Sequence, residues 1–302
     1  MMSSVFFVLL HHSMKELSIL IPTFNDACDA LVTALHGQAE ALGIDYEIIV
    51  ADDGSTDASS VSANRAINHL GPHCRYIERQ ENAGRAAIRN ILAVESQYPW
   101  LIFVDSDMVV CREDFLEKYA SSTSDTIVYG GVSIGPLQAG NLRSMYEKTA
   151  EHEHTLERRQ QAPYQDFHTA NFLVRRDIML QYPFDLRFRH YGYEDVFFGK
   201  QMQTHDIPIL HIDNPVSFER FENNKDFVSK TEEGLRTLCL FRKELEGYSR
   251  LLDVFHNTYL MRFLFRIWHK LFASWERENI TGTHPSLLVF KLYKIGYLAS
   301  LL

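Results

Sequence analysis

Apolar positions in the first hundred residues fall into short runs, separated by polar stretches with a helical period. Residues 17–21, 48–50 and 101–104 are bounded by polar or turn residues, the pattern of strands buried on both faces. Between the first two, Ala30, Leu31, Ala34, Leu35, Ala39 and Leu42 follow a helical period that Gly43 ends. Asp57 stands where an N-cap belongs, which predicts a helix to about residue 69 before the Gly71-Pro72 break. A short alternating strand at 75–78 and a helix over 83–96 complete the series. Strand and helix alternating in this way predict a parallel α/β sheet.

The pattern changes after residue 107. A short helix at 115–120 and a strand at 127–129 precede a glycine-rich loop, and the strongly polar stretch 141–160 reads as one helix. Strands follow at 171–175, 207–210 and 215–218, and Glu194-Asp195 opens a helix over 194–203, where acids suit the positive helix end. From 224 onward the chain reads as helical, with a break at 281–285. In the last part, 255–275 and 286–302 are rich in large apolar residues but interrupted by cations, so neither reads as a transmembrane span. Two readings stand for them: amphipathic helices on a membrane surface, or helices packed on their own domain.

Composition narrows the class. The 302 residues are 46% hydrophobic and 23% charged, ordinary for a globular protein with a sizeable core. A net charge of -9 gives no footing for general nucleic-acid binding, and an anionic ligand needs a local cation. Cys28, Cys74, Cys111 and Cys239 are scattered without metal-ligand spacing, which fits a reducing compartment. The apolar run at 5–10 is too short to span a bilayer and lacks the flanks of a signal peptide. Met14 reads as a second start, so 1–13 are expected to be an extension of little structural weight.

Polar clusters sit where three of the predicted strands end: Pro22-Thr23-Phe24-Asn25, Asp52-Asp53-Gly54-Ser55 and Asp105-Ser106-Asp107. In an open α/β sheet, ligands bind outside the carboxyl ends of the strands, so these clusters are expected to converge on one crevice. Taken alone, Asp52-Asp53-Gly-Ser also reads as a turn with a cap, Arg85 and Arg89 as helix surface, and Glu194-Asp195 as a helix cap. His152-Glu153-His154 reads as a solvated helical face, because an i, i+2 pair does not share one side of a helix.

These clusters, with Asn82-Ala83-Gly84-Arg85 through Asn90 and Gly192-Tyr193-Glu194-Asp195, resemble in type and order the family-2 inverting glycosyltransferases. The resemblance covers about residues 14–235. It implies the GT-A fold, a nucleotide-binding α/β sheet, here at 14–222 with a C-terminal helical region at 223–302. It also implies transfer of a sugar from a nucleotide-diphosphate donor, UDP-sugar favoured, to a hydroxyl of a glycan or lipid-linked acceptor. By resemblance, Pro22, Thr23 and Asn25 line the nucleoside pocket, Asp53 contacts the base or ribose, and Asp52 is a further substrate-binding residue. Arg85 is a basic contact near the donor, Glu194 lines the site, Asp105 and Asp107 hold ribose and a divalent metal (Mn²⁺ or Mg²⁺), and Asp195 is the catalytic base. The setting implied is cytoplasmic or the inner face of a membrane, and the amphipathic reading of the C-terminal helices would add peripheral membrane contact.

One position departs from the family's pattern. Where its members often carry a histidine that helps bind metal or diphosphate, this chain has Phe218, and His211 or Glu219 are the candidates to replace it. A rival enzyme class, the sugar-nucleotide pyrophosphorylases, needs a glycine-rich basic loop after the first strand, which Pro22 to Asp26 is not. A non-catalytic nucleotide-sugar-binding or scaffold protein of the same fold is the remaining alternative.

Overall fold

In the computed structural model, which describes residues 14–122, 127–255 and 259–302, the expected alternation is present in full. β1 (Glu16–Thr23), α1 (Asp29–Leu42), β2 (Asp45–Asp52), α2 (Ala58–Arg65), β3 (Cys74–Glu78), α3 (Arg85–Glu95) and β4 (Trp100–Val104) follow one another. The Asp57 carboxylate caps α2 by accepting from the Ser60 amide at 3.0 Å, and Gly43 ends α1 in the left-handed conformation. The extension expected at 1–13 lies outside the described residues.

After β4 come β5 (Met108–Val109), α4 (Phe115–Ser121), β6 (Ile127–Tyr129), β7 (Val132–Ile134), α5 (Leu142–Ala150) and α6 (Leu156–Gln161). β8 (Asn171–Arg175), α7 (Arg176–Gln181), α8 (Glu194–Thr204), β9 (Ile209–His211) and β10 (Val216–Phe218) follow, then α9 (Asn224–Leu240), α10 (Arg250–Asp253), α11 (Tyr259–Thr281) and α12 (Leu287–Leu301). Among the described residues the main sheet has the order β3-β2-β1-β4-β8-β6-β9, and β5-β10-β7 form a small second sheet. β3, β2, β1 and β4 are mutually parallel, and β8 runs antiparallel to β4 and β6.

Side chains alternate across the sheet as strand geometry requires. Ile19, Ile21, Ile48, Val50, Ile102 and Val104 pack on one face with Leu31, Val32 and Leu35 of α1. Leu20, Ile49, Leu101 and Phe103 pack on the other with Ile88 and Leu92 of α3. Full burial of such a side chain contributes about 1.5–3 kcal/mol, so the two-sided core fixes where the strands end. The pairing Thr23↔Asp52 brings two of the polar clusters level.

The polar stretch 141–160 is not one helix. α5 passes through a short 3₁₀ turn, Glu151–Glu153, into α6. Glu151 accepts from the Ile134 amide at 2.9 Å and pairs with Lys148 at 2.7 Å, tying the turn to β7. The solvated helical face expected at 152–154 is corrected accordingly. His152 is exposed, but His154 is half-buried, with its ring 5.6 Å from that of His168.

Of the two readings of the C-terminal stretch, packing on the chain's own domain describes α12 and the inner side of α11. α12 is packed: Phe290 and Tyr293 share a core with Leu142 and Phe227, and Leu298 shares another with Phe188 and Leu238. α11 packs on α12 along one side only, through His269, Ala273, Glu276 and Ile280. No helix among the described residues is long and apolar enough to cross a membrane.

Candidate active site

At the carboxyl ends of β1, β2 and β4 a cleft of about 560 Å³ is lined by Pro22, Thr23, Asn25, Asp53, Arg85, Asp105 and Asp107, so seven of the expected residues meet in one place. Several of them build the wall as well as face it. Asn25, held at φ +54°, accepts from the amides of Thr56 (2.7 Å) and Asp57 (2.9 Å). Asp53 accepts from the amides of Ala83 (2.9 Å) and Gly84 (2.8 Å). Gly84 has φ +92°, and a Cβ there would lie 2.8 Å from the Arg189 carbonyl oxygen, so only glycine lets this loop close before α3.

Asp52 does not face the cleft. Successive strand residues point to opposite sides, and the Asp52 carboxylate accepts from the Tyr76 hydroxyl and from the Ser55 amide (2.6 Å). The turn-forming role is therefore the one the structure gives it.

The two acids of Asp105-Ser106-Asp107 are placed in opposite circumstances. Asp105 is clamped by the guanidinium of Arg89, which is buried, and by that of Arg85 at 3.4 Å. Asp107 makes no hydrogen bond or ion pair among the described residues; burial and the neighbouring Asp105 push its carboxyl above the ordinary carboxylate value, against the pull of Arg85 and Arg143. No cluster of three or more His, Cys, Asp or Glu side chains able to hold a metal exists among the described residues. A site of one free carboxylate completed by donor phosphates and water suits Mg²⁺ or Mn²⁺, which are commonly held by one or two carboxylates plus substrate phosphates. Of the expected pair, Asp107 fits that part and Asp105 is occupied by arginine.

Neither His211 nor Glu219, the candidates to replace the missing histidine, lines the cleft that contains Asp107. His211 is buried, with Nε2 donating to the Pro163 carbonyl at 2.9 Å, and Glu219 packs against Gly135. Phe218 instead supports a cation: the Arg143 guanidinium lies 4.4 Å from its ring centroid, held by Glu222, and lines the cleft beside Asp107.

A second cavity of about 390 Å³ continues from the first, sharing Arg85, Asp105, Asp107, Arg143 and Tyr191, and adds His168 and Asp195. Asp195 sits in the first turn of α8, after Tyr193 at φ +69°, an unusual conformation for a bulky residue that fixes how the helix starts. Its Oδ2 lies 3.1 Å from His168 Nδ1, and its Oδ1 accepts from the Val196 amide at 2.8 Å. Burial opposes its charge, yet the His168 hydrogen bond and charge hold the Asp195 carboxyl below its ordinary value. Burial likewise opposes protonation of His168, and Asp195 outweighs it, raising the imidazole. Glu194 does not line the donor cleft: it is buried and accepts from Arg85 Nε at 2.8 Å, so its part is to aim Arg85.

Arg89, Arg143, His168 and Tyr191 were not among the expected site residues. Arg143 and His168 lie between Gly140 and Gly192 and carry no motif; only the fold brings them in. Arg89 was readable from its spacing, since it follows Arg85 by four and so shares its helix side.

Comparison with known proteins agrees with this geometry. Over 107 residues the chain is 32% identical to a teichoic acid poly(glycerol phosphate) polymerase of Staphylococcus epidermidis, covering 35% of this chain and 14% of that protein. Over 146 residues it is 27% identical to an undecaprenyl-phosphate 4-deoxy-4-formamido-L-arabinose transferase of Yersinia pestis, covering 47% of this chain and 42% of that protein. The chain thus spans less than half the length of either relative. Among solved structures, a mannosyltransferase of Pyrobaculum calidifontis in complex with GDP-Man and Mn²⁺ superimposes with a TM-score of 0.54 at 14% identity, over 76% of this chain and 64% of that one, which establishes the shared GT-A fold. Residues 18–182, more than half of the sequence, match the family model of glycosyl transferase family 2, and the chain belongs to that family.

Proposed function

We propose that the protein is an inverting glycosyltransferase that moves a sugar from a nucleoside-diphosphate donor to the hydroxyl of a lipid-linked or surface-polysaccharide acceptor, at the cytoplasmic side of a membrane. The observation that carries this is the continuity of the two cavities, with Asp107 and Arg143 where they meet and the His168–Asp195 pair beyond. The donor occupies the cleft at the strand ends, its diphosphate against Asp107, Arg85 and Arg143. Asp107 would hold a divalent cation there, which would neutralise the charge of the departing diphosphate. Arg143, a fixed cation supported by Phe218, shares that task where relatives of the family carry histidine.

On the acceptor side, Asp195 takes the proton of the attacking hydroxyl as the new oxygen–carbon bond forms at the anomeric carbon. The bond from that carbon to the diphosphate oxygen breaks on the opposite face, and the nucleoside diphosphate leaves with the electron pair. One in-line displacement inverts the centre and needs no covalent nucleophile. His168 keeps the Asp195 carboxylate oriented and ionised.

The test is release of nucleoside diphosphate from a panel of UDP-, GDP- and dTDP-sugars with Mn²⁺ or Mg²⁺, with the wild type beside Asp107→Asn and Asp195→Asn. Metal-dependent release from one donor, lost in both variants, is the expected result. A wild type that neither turns over nor binds any of the donors in calorimetry would overturn the proposal in favour of a non-catalytic protein of the same fold.

A further inference from the structure

α11 carries 10 of the 21 exposed large apolar side chains among the described residues, although its inner side is fully used against α12. Leu260, Leu264, Ile267, Trp268, Leu271 and Trp275 recur at the three- and four-residue spacing of one helix side, with Leu260 at 69% and Leu271 at 70% exposure. The 17 residues from 259 to 275 form a stripe roughly 25 Å long. Monomeric proteins rarely leave so continuous an apolar surface to water.

The charges on the same segment name its occupant. Between 259 and 275 there is no acid, while Arg262, Arg266 and Lys270 are all basic, in a protein whose net charge is -9. None of the three is ion-paired among the described residues: Arg262 lies over the Tyr259 ring, and Arg266 Nε donates to the Ala299 carbonyl at 3.1 Å. On the helix wheel Arg266 and Lys270 border one edge of the apolar side, and Trp268 and Trp275 are the amphipathic aromatics that settle at lipid headgroups. A two-fold dimer through this side would set one all-basic segment against its copy. Spanning is excluded by the helix's own cations and hydropathy.

We propose that the outer side of α11 is a docking surface for an anionic lipid bilayer, with the helix lying in the interface plane. The consequence for the site is direct. α12 packs Gly296 against His269 of α11 and brings Phe290 and Lys294 into a cavity that also contains Asp195, so the docked helix and the acceptor side of the cleft are joined through a single helix. An acceptor anchored in the same bilayer would then reach the base without leaving the surface.

The experiment is co-sedimentation of the full chain with phosphatidylcholine vesicles, with and without phosphatidylglycerol, at low and high salt. It reads binding alone and so is independent of donor turnover. The wild type is expected to pellet with the phosphatidylglycerol vesicles and to release in high salt. Arg266→Gln/Lys270→Gln should bind about 10- to 30-fold more weakly. Leu264→Glu/Leu271→Glu should stay in the supernatant while keeping its helical circular dichroism, since both positions are exposed. A wild type that ignores phosphatidylglycerol, or a Leu264→Glu/Leu271→Glu variant that binds as the wild type does, would overturn the proposal. A wild-type dimer dissolved by that variant, without vesicle binding, would assign the surface to a second copy instead.

Discussion

The donor and acceptor sides of the cleft are built by different means. On the donor side, carboxylates stand at the ends of parallel strands, and most are already engaged: Asp53 by two amides, Asp105 by two arginines. In the proposed mechanism they shape a pocket for an anionic ligand, and of Asp53, Asp105 and Asp107 only Asp107 makes no hydrogen bond or ion pair among the described residues. On the acceptor side one carboxylate, Asp195, is raised on a helix start and tuned by a single histidine. In the mechanism proposed above, identical residue types thus do structural work in one half and chemistry in the other, and the partner of each carboxylate separates the two.

The largest effect that separates the halves is expected from Asp195→Asn. Loss of a general base should lower transfer by about 10³-fold while donor affinity, read by calorimetry, stays at the wild-type value. A comparable loss of donor affinity would merge the two halves. Next come the neighbours on the donor side. Asp105→Asn strands the buried Arg89 guanidinium and should cost about 3 kcal/mol in denaturant unfolding, whereas Asp107→Asn should leave stability unchanged and remove the metal dependence of donor binding. Equal unfolding midpoints for the two variants would contradict the assignment.

A smaller effect concerns the His168–Asp195 pair. The His168 pKa is raised on folding, so its stabilising contribution is fully present below the ordinary value of 6.5 and is lost as pH rises through the folded value. Asp195 is lowered, so its own contribution is kept above the ordinary value of 3.8 and lost only as pH falls through the folded one. The stability gap between wild type and His168→Gln should therefore narrow as pH rises above the ordinary histidine value of 6.5, which denaturant midpoints from acid to alkaline pH would show. The smallest effect is expected from Glu194→Gln, which keeps the packing and weakens the hold on Arg85: donor KM should rise a few-fold with kcat nearly unchanged.

The parallel half of the sheet was legible because β2 and β4 carry apolar runs with polar ends and β1 is broken only by Ser18, and two-sided burial leaves little else for such runs to do. The crevice was legible for the same reason, since strand direction fixes where the ends meet. Strand parity could also have told Asp52 from Asp53, as adjacent residues face opposite sides. The 141–160 stretch was not legible: its polarity and helical propensity favour one helix, and the contact of Glu151 with the Ile134 amide, set by the tertiary fold, breaks it. α7 is only 6 residues long, too short for a periodic signal, and β5 and β7 hold 2 and 3 residues. His168 approaches Asp195 across 27 residues and Arg143 approaches Phe218 across a longer gap, so their parts follow from the fold and from no local pattern.

The most direct test of the divided cleft is calorimetric binding of the donor that the panel identifies, with and without Mn²⁺, to Asp107→Asn and Asp195→Asn side by side. The geometry predicts that Asp195→Asn binds the donor as the wild type does, with the metal strengthening it, and that in Asp107→Asn the metal no longer matters. Metal-linked binding retained in Asp107→Asn, or lost in Asp195→Asn, would contradict it.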